Sequence, residues 1–364
     1  MWNETISALL KELDFTQSVS DPCLYMKKLL NGGVVYLLIY VDDMIVASTV
    51  EEEITLMEEE LEKKISLTSL GNVNQFLGVR VTRDDDGYFS LDQSVYINII
   101  AKRFGLQNAK GSSIPLDPGY YRSRINSRPL GTNEDYHSLV GALLYVAVNT
   151  RPDIAASVSI LSRQVSSPTE IDWVELKRVV RYLLKTVGYK LKLLATEGEE
   201  LVLTGYCDAD WSGDPSDRKS NSGYLFQLGS ATVCWASRKQ TSVSLSSMEA
   251  EYMALSEACR ELIWLRQLLE EMGIRQRKPT VVLEDNRSCI DFVETDRNSR
   301  RSKHIDTRVH YTKDLVDRGV VNLQYCSTEE MAADILTKPL GSVKQQRFAL
   351  AMGLVSTNRI APVP

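Results

Sequence analysis

Val34 to Val41 and Met44 to Ala47 are two short, almost wholly apolar runs with Asp42-Asp43 between them. That pattern predicts a buried strand pair carrying both aspartates at its tip. The rhythm changes over Glu51 to Lys64, where Ile54, Met57, Leu61 and Ile65 fall at helical spacing and glutamates fill the rest. An amphipathic helix with a solvated acidic face is expected there. Gln75 to Val81 reads as a strand and Tyr88 to Leu91 as its return. The turn between them is Asp84-Asp85-Asp86-Gly87, with Gly87 supplying the positive φ. Ser94 to Phe104 continues as a helix.

Residues 105–133 mix Gly, Pro, Ser and Asn without periodicity and predict a linker. Three helical stripes follow: Tyr136 to Ala147, Ile154 to Val165 and Trp173 to Val187. The breaks are at Arg151-Pro152-Asp153 and Pro168. Short connections imply antiparallel packing and a structural spacer. The last block has another rhythm. Strands are expected at Leu201–Cys207, Gly223–Leu228, Thr232–Ala236, Thr280–Leu283 and Val321–Tyr325. A long helix is expected from Ser247 to Met272, and a shorter one follows residue 285. Another helix is striped by Ile305, Val309, Thr312 and Val316. A last helix is expected near Thr328, capped by Ser327 and Glu330. The order β-β-β-α-β-α-α-β-α predicts a mixed sheet flanked by helices.

Two sets of carboxylates carry the candidate chemistry. Asp42 and Asp43 repel each other unless a cation lies between them, so their hairpin reads as a candidate metal platform, with a plain turn as the alternative. In the last block Asp208 ends one strand and Asp285 ends another. Glu251 falls on the apolar stripe continued by Leu255, Ala258, Leu262, Leu265 and Leu269. An inward glutamate is costly unless it is paired or bound to metal. Glu249, two residues earlier, is expected to face solvent. Asp334, beside Ala333 and Ile335, reaches the same region. Each acid alone also reads as a cap, a turn or a buried ion pair. Together they suit Mg²⁺ or Mn²⁺ and cleavage of a phosphodiester by a pair of ions. Arg297, Arg300, Arg301, Lys303, His304 and Arg308, with Arg238 and Lys239, suit phosphate contacts or a solvated loop. Trp211 and Trp235 suit core packing more than base stacking.

Composition narrows the class. The chain has 364 residues, 43% hydrophobic and 25% charged, enough for two or three globular domains. No stretch approaches the ~20 apolar residues of a membrane span, and Met-Trp-Asn-Glu-Thr opens no secretory signal. The six cysteines make no Cys-x-x-Cys pair and there are three histidines, which argues against zinc fingers and for reduced thiols in an intracellular protein. A net charge of −6 argues against a generic nucleic-acid coat, though not against a local basic patch.

The motifs together resemble the C-terminal part of Pol from copia-type long-terminal-repeat retrotransposons. The resemblance rests on Asp21-Pro22-Cys23-Leu24-Tyr25, Tyr40-Val41-Asp42-Asp43-Met44, Phe76-Leu77-Gly78-Val79, Gly141-Ala142-Leu143-Leu144-Tyr145 and Thr150-Arg151-Pro152-Asp153. It continues through Asp208-Ala209-Asp210-Trp211, Asp217-Arg218-Lys219-Ser220, Ser222-Gly223-Tyr224, Glu249-Ala250-Glu251-Tyr252, Lys303-His304-Ile305-Asp306 and Ala333-Asp334-Ile335-Leu336-Thr337-Lys338. It implies a multidomain α/β and α+β chain. Residues 1–110 would be partial reverse transcriptase palm and thumb, and 111–195 a linker and helical connection. Residues 196–340 would be a ribonuclease H domain, and 341–364 a tail. It further implies that Asp208, Glu251, Asp285 and Asp334 are the metal-binding nuclease acids. Asp42 and Asp43 would then be a polymerase remnant, and Phe76 to Val81 part of a primer-grip hairpin.

The implied substrate is an RNA–DNA hybrid, cut with Mg²⁺ or Mn²⁺ in cytoplasmic particles. The partner for polymerisation would be the upstream reverse transcriptase region or another Pol chain. The fingers and the strand bearing the first polymerase aspartate are expected upstream of Met1, so polymerisation by this stretch alone is not expected. No histidine stands between Tyr325 and Asp334, where many ribonucleases H have one. There is no Asp-Ser-Gly or Asp-Thr-Gly protease triplet and no His-His-Cys-Cys set. The alternative is a non-catalytic remnant that only folds or binds nucleic acid.

Overall fold

The computed structural model describes residues 2–85, 87–193, 201–295 and 306–356. They fold as two compact units, Met1–Asn74 with Ile263–Arg277, and Gln75–Leu262 with Lys278–Pro364. In the first unit α1 (Trp2–Glu12) precedes an antiparallel sheet in the order β1 (Thr16–Gln17), β2 (Leu24–Lys28), β3 (Val34–Tyr40), β4 (Asp43–Ser48), and α2 (Glu51–Glu62) follows. The predicted strand pair is there, but it is not buried on both faces. Val35, Leu37 and Ile39 pack with Ile6, Leu10, Met57 and Leu61, whereas Val34, Tyr36 and Leu38 are only half-buried. An antiparallel sheet can leave one face lightly covered, and apolar runs do not reveal this. The Ile263–Arg277 segment is fastened by Glu271, which accepts hydrogen bonds from Ser18 Oγ (2.5 Å), Ser20 Oγ (2.7 Å) and Val19 N (3.0 Å).

The second unit opens with β5 (Gln75–Phe76), β6 (Val79–Arg83) and β7 (Phe89–Asp92). What reads in sequence as one strand over 75–81 is a hairpin. Leu77 (φ 48°) and Gly78 (φ 74°) form a two-residue turn with both φ positive, as in a type I′ hairpin. Then come α3 (Ser94–Arg103), α4 (Tyr120–Arg124), α5 (Glu134–Asn149), α6 (Ala155–Ser162) and α7 (Glu170–Lys185). The aperiodic 105–133 stretch does not hang free. Leu116 and Tyr120 are fully buried in the helical core, Tyr120 Oη donates to Asp172 (2.7 Å), and Asp117 N donates to Glu175 (3.0 Å). Side-chain anchors hold an irregular backbone there, so no period was visible.

The strand β8 (Tyr189–Leu193) joins β7, and the first sheet of this unit is completed from the far end of the chain. The expected tail contains α11 (Ser342–Ala351), with Phe348 and Ala349 buried, and β14 (Leu354–Ser356), which pairs with β8. The second sheet has the order β11 (Ala231–Lys239), β10 (Asn221–Leu228), β9 (Leu203–Asp210), β12 (Thr280–Glu284), β13 (Val321–Tyr325). Neighbours β9, β10 and β11 are antiparallel, and β12 is parallel to both β9 and β13. Helices α8 (Ser247–Glu271), α9 (Arg287–Glu294) and α10 (Asp306–Asp317) complete the predicted mixed α/β arrangement. Strand β9 runs to Asp210, so Asp208 lies inside it rather than at its end. The helix expected at Thr328 is absent. Ser327 Oγ does donate to Glu330 (2.9 Å), but a 3-10 turn over Ala332–Leu336 follows instead.

A carboxylate cluster as candidate metal centre

Three side chains meet where β9, β12 and α8 converge. Asp208 projects from β9, Asp285 follows β12, the parallel neighbour of β9, and Glu251 sits in the second turn of α8. One carboxylate oxygen from each lies within 4.8 Å of the others. The approach of α8 depends on small residues: Ala250 and Ala254 pack directly on Ala209. The start of the helix is held by buried Gln240, whose Nε2 donates to Ala250 O (2.9 Å) and to Ser222 Oγ (3.2 Å). Thr328 Oγ1 donates to Asp285 Oδ2 (2.8 Å), and Thr337 Oγ1 donates to Asp208 Oδ2.

Asp334 stands beside this trio rather than in it. Its Oδ1 is 2.6 Å from Lys338 Nζ, and the same ammonium is 3.6 Å from Asp208 Oδ2. Both carboxylates are 2% exposed, and a buried acid of this kind needs a cation nearby. Thr337 and Lys338 were not anticipated from sequence, although they follow Asp334 at helical spacing (i+3 and i+4). Glu249 was expected in solvent but is buried. Its Oε2 accepts from Leu245 N (2.9 Å), while Ser246 Oγ accepts from Glu249 N (3.2 Å), so it caps the start of α8. A helical wheel assigns faces and has no term for capping.

Burial sets the electrostatics. It pushes the Asp208 carboxyl up to about 6, with Lys338 opposing and Asp334 adding to the rise. Burial first, and then the charge of Asp208, raises Glu251 well above the carboxylate range. Asp285 is raised by burial too, against the Thr328 hydrogen bond. Glu284, which sequence reasoning missed, is fully buried and raised to about 8, again chiefly by burial. It accepts from Cys207 Sγ (3.2 Å) and Asn286 N (3.0 Å). Glu251 Oε2 is buried with no hydrogen-bond partner among the described residues. An all-oxygen donor set, mutual repulsion and an orphaned carboxylate oxygen fit a hard divalent cation.

The other aspartate pair is different. Asp42 and Asp43 are exposed, and among the described residues neither joins a third acid or a histidine in a metal-binding group. Val41 preceding them has φ 57°, a rare conformation for a β-branched residue.

Residues 1–118 match the family described as reverse transcriptase (RNA-dependent DNA polymerase). Over 97% of its length the chain is 36% identical to a retrovirus-related Pol polyprotein from the Nicotiana tabacum transposon TNT 1-94. It is 34% identical to that of the Arabidopsis thaliana transposon RE1, again over 97% of its length. It also covers 93% of an uncharacterized mitochondrial protein of Arabidopsis thaliana at 34% identity. The chain belongs to the copia-type retrotransposon Pol family. It spans 27% and 24% of the two Pol polyproteins, about a quarter of each. Among solved structures, the compost-derived LC11-RNase H1 overlaps 37% of this chain and 92% of its own at 17% identity, with a TM-score of 0.29.

In this copia-type chain the Asp42-Asp43 hairpin lies inside the reverse transcriptase match and the buried acid cluster lies beyond it. The basic residues divide. Arg238 is exposed on β11, but Lys239 is held by Asp214 (2.5 Å) and Asp217 (2.9 Å). Arg300, Arg301, Lys303 and His304 lie outside the described residues. Trp211 is 54% exposed and donates to Ser244 O (3.2 Å); Trp235 donates to Ala147 O (2.9 Å). Among the described residues no helix is long and apolar enough to cross a membrane.

Proposed function

We propose that this chain carries the ribonuclease H part of a copia-type Pol, behind a partial reverse transcriptase, and is an endonuclease that hydrolyses RNA in RNA–DNA hybrids with Mg²⁺ or Mn²⁺. The supporting observation is the convergence of Asp208, Glu251 and Asp285 within 4.8 Å, with one Glu251 oxygen buried and unpartnered. A divalent ion held by Asp208, Glu251 and Asp285 would supply positive charge to the scissile phosphate and make the attacking water more acidic. The protein's part is to hold Asp208 and Asp285 rigidly through Thr337 and Thr328 and to bring Glu251 in on α8. Asp334 flanks the centre, and exposed Arg238 with Arg300, Arg301, Lys303 and His304 would contact the hybrid backbone. We read residues 1–110 as palm and thumb, 111–195 as connection and 196–340 as the nuclease domain, working inside the cell. Polymerisation would need acids from the rest of Pol or from another Pol chain, because Asp42 and Asp43 gather none among the described residues.

Asp208→Asn tests the assignment. Cleavage of a labelled hybrid in Mg²⁺ should disappear while the circular dichroism spectrum stays unchanged; undiminished cleavage would remove Asp208 from the centre. A second reading, a non-catalytic remnant, draws on the Lys338 ammonium, which partly neutralises the cluster without any metal. Hybrid binding without cleavage in either Mg²⁺ or Mn²⁺ would favour it.

A further inference from the structure

The cluster contains a cation of its own. Lys338 Nζ lies between Asp334 (2.6 Å) and Asp208 (3.6 Å), and its side chain is 36% exposed, so one side remains open to water. The backbone that carries it is not free to drift. Thr337, its neighbour, donates Oγ1 to Asp208 and accepts Asn221 Nδ2 at its carbonyl (2.9 Å), while Lys338 N reaches Asp334 O (3.4 Å). The result is two unequal halves. Asp208, Glu251 and Asp285 converge with an unpartnered oxygen, whereas Asp208 and Asp334 already share an ammonium.

We propose that Lys338 is a positioning and selectivity residue for metal loading: it holds the Asp208–Asp334 side of the centre, so one divalent ion binds readily at Asp208, Glu251 and Asp285 and a second binds only by displacing the lysine. The inference rests on the metal-centre reading above and concerns occupancy, not the chemical step. An ammonium bound to two buried carboxylates must be exchanged for water before an ion can take its place, because unpaired charges in such a site are costly. The partial exposure of the lysine gives it a route outwards.

Mn²⁺ binding to the full chain, followed by electron paramagnetic resonance of the free ion, provides the test. Wild type should show one tight site and one weak site. Lys338→Gln should strengthen the weak site by roughly ten- to a hundredfold, the range over which residues around a metal's ligands tune affinity. Lys338→Arg, which keeps the charge, should stay close to wild type. Superimposable isotherms for wild type and Lys338→Gln would overturn the proposal. If Lys338→Gln does not fold, ¹³Cε-lysine-labelled wild type titrated with Mg²⁺ decides. The Lys338 resonance should move with the second binding event, and a resonance that moves with the first event, or with neither, overturns the proposal. Loss of the tight site in Asp208→Asn confirms the frame. Retention of both sites there would sink the metal centre itself and the Lys338 proposal with it.

Discussion

Gly223 pairs directly with Asp208 across β9 and β10, and a Cβ on Gly223 would sit 2.7 Å from Thr337 Cγ2 and 2.8 Å from Leu336 Cβ. The 3-10 turn bearing Asp334, with Thr337 and Lys338 directly after it, therefore lies on the strand at a point where only hydrogen fits. Leu336 Cβ is fixed to the backbone and cannot swing aside as a side-chain tip would. Gly223→Ala should push the turn away, break the Thr337–Asp208 hydrogen bond and cost about 1–3 kcal/mol. Urea denaturation and Mn²⁺ affinity should both fall. Wild-type values for both would show that the turn tolerates the methyl group.

The raised carboxyls make the metal-free protein sensitive to pH in a definite direction. Asp208 moves from 3.8 to about 6, and Glu251, Asp285 and Glu284 also move upwards. Between about pH 4 and pH 6 the folded state therefore holds more protons than the unfolded chain, so these groups lose stability as pH rises. In chelator, Asp208→Asn should be more stable than wild type at about pH 8, by on the order of 1–3 kcal/mol. The gap should narrow as pH falls below about 6 and close only below about pH 4, where Asp208 is protonated in the unfolded chain as well. Divalent ions should reverse the order at the higher pH, since their binding requires the ionised form. Chelator melts with a gap that does not change with pH would contradict the burial account.

Arg151 is fully buried in the second unit and makes a two-pronged contact with Asp153 (2.9 and 2.7 Å), with a third bond to Thr186 Oγ1 (2.6 Å). Tyr182 Oη also donates to Asp153 (2.7 Å), and Gln345 on α11 donates to the Asp153 carbonyl (2.8 Å). Arg151→Met leaves a buried carboxylate without its cation and should cost about 3–5 kcal/mol. The double variant Arg151→Met with Asp153→Leu should recover much of that, because no charge is then stranded. Equal destabilisation by the single and double variants would show that packing, not charge, governs this site.

Other contacts of the second unit bear on where the proposed nuclease domain would end. Arg163, at the C-terminal cap of α6, reaches Asn221, Trp235 on β11 donates to Ala147 O on α5 (2.9 Å), and β14, which follows α11, pairs with β8. A fragment cut to 196–340 would lose all three attachments and leave Ile335, Leu336 and Leu340 without the Phe348 and Met352 cover. It should show no cooperative melt, whereas a piece spanning 75–356 should melt cooperatively. A sharp transition in the short fragment would restore the narrower boundary.

How far these features were legible in sequence follows from their range. Glu251 was readable because a charge on an apolar stripe breaks a local period, and Asp285 because it closes an alternating strand. Lys338 was not, since a lysine after a turn looks like any surface lysine until the fold brings Asp208 beside it. Strands β8 and β14 were missed for a similar reason. Each is short, and their pairing joins segments far apart in the chain, which no local window detects. The Leu77-Gly78 turn was hidden because Leu at positive φ is no turn signal, whereas Gly87 at its hairpin was recognised correctly.

Val41 poses the converse problem, a residue whose conformation its own chemistry opposes. Its φ of 57° puts a β-branched side chain in the left-handed region at the first central position of the β3–β4 turn, with Asp42 showing no positive φ. That is the pattern of a type II′ turn, in which glycine is preferred at this position. The side chain is 67% exposed, so packing does not obviously compensate for the strain. Relief of about 1–2 kcal/mol of backbone strain, less about 0.5–1 kcal/mol for glycine's freedom in the unfolded chain, leaves a net gain of between about 0 and about 1.5 kcal/mol. Val41→Gly should therefore raise the denaturation midpoint. A lower midpoint would mean that Val41 makes a stabilising contact that outweighs its backbone cost. A higher one would mark the Tyr40–Asp43 tip as a place where the fold carries strain that stability alone does not explain.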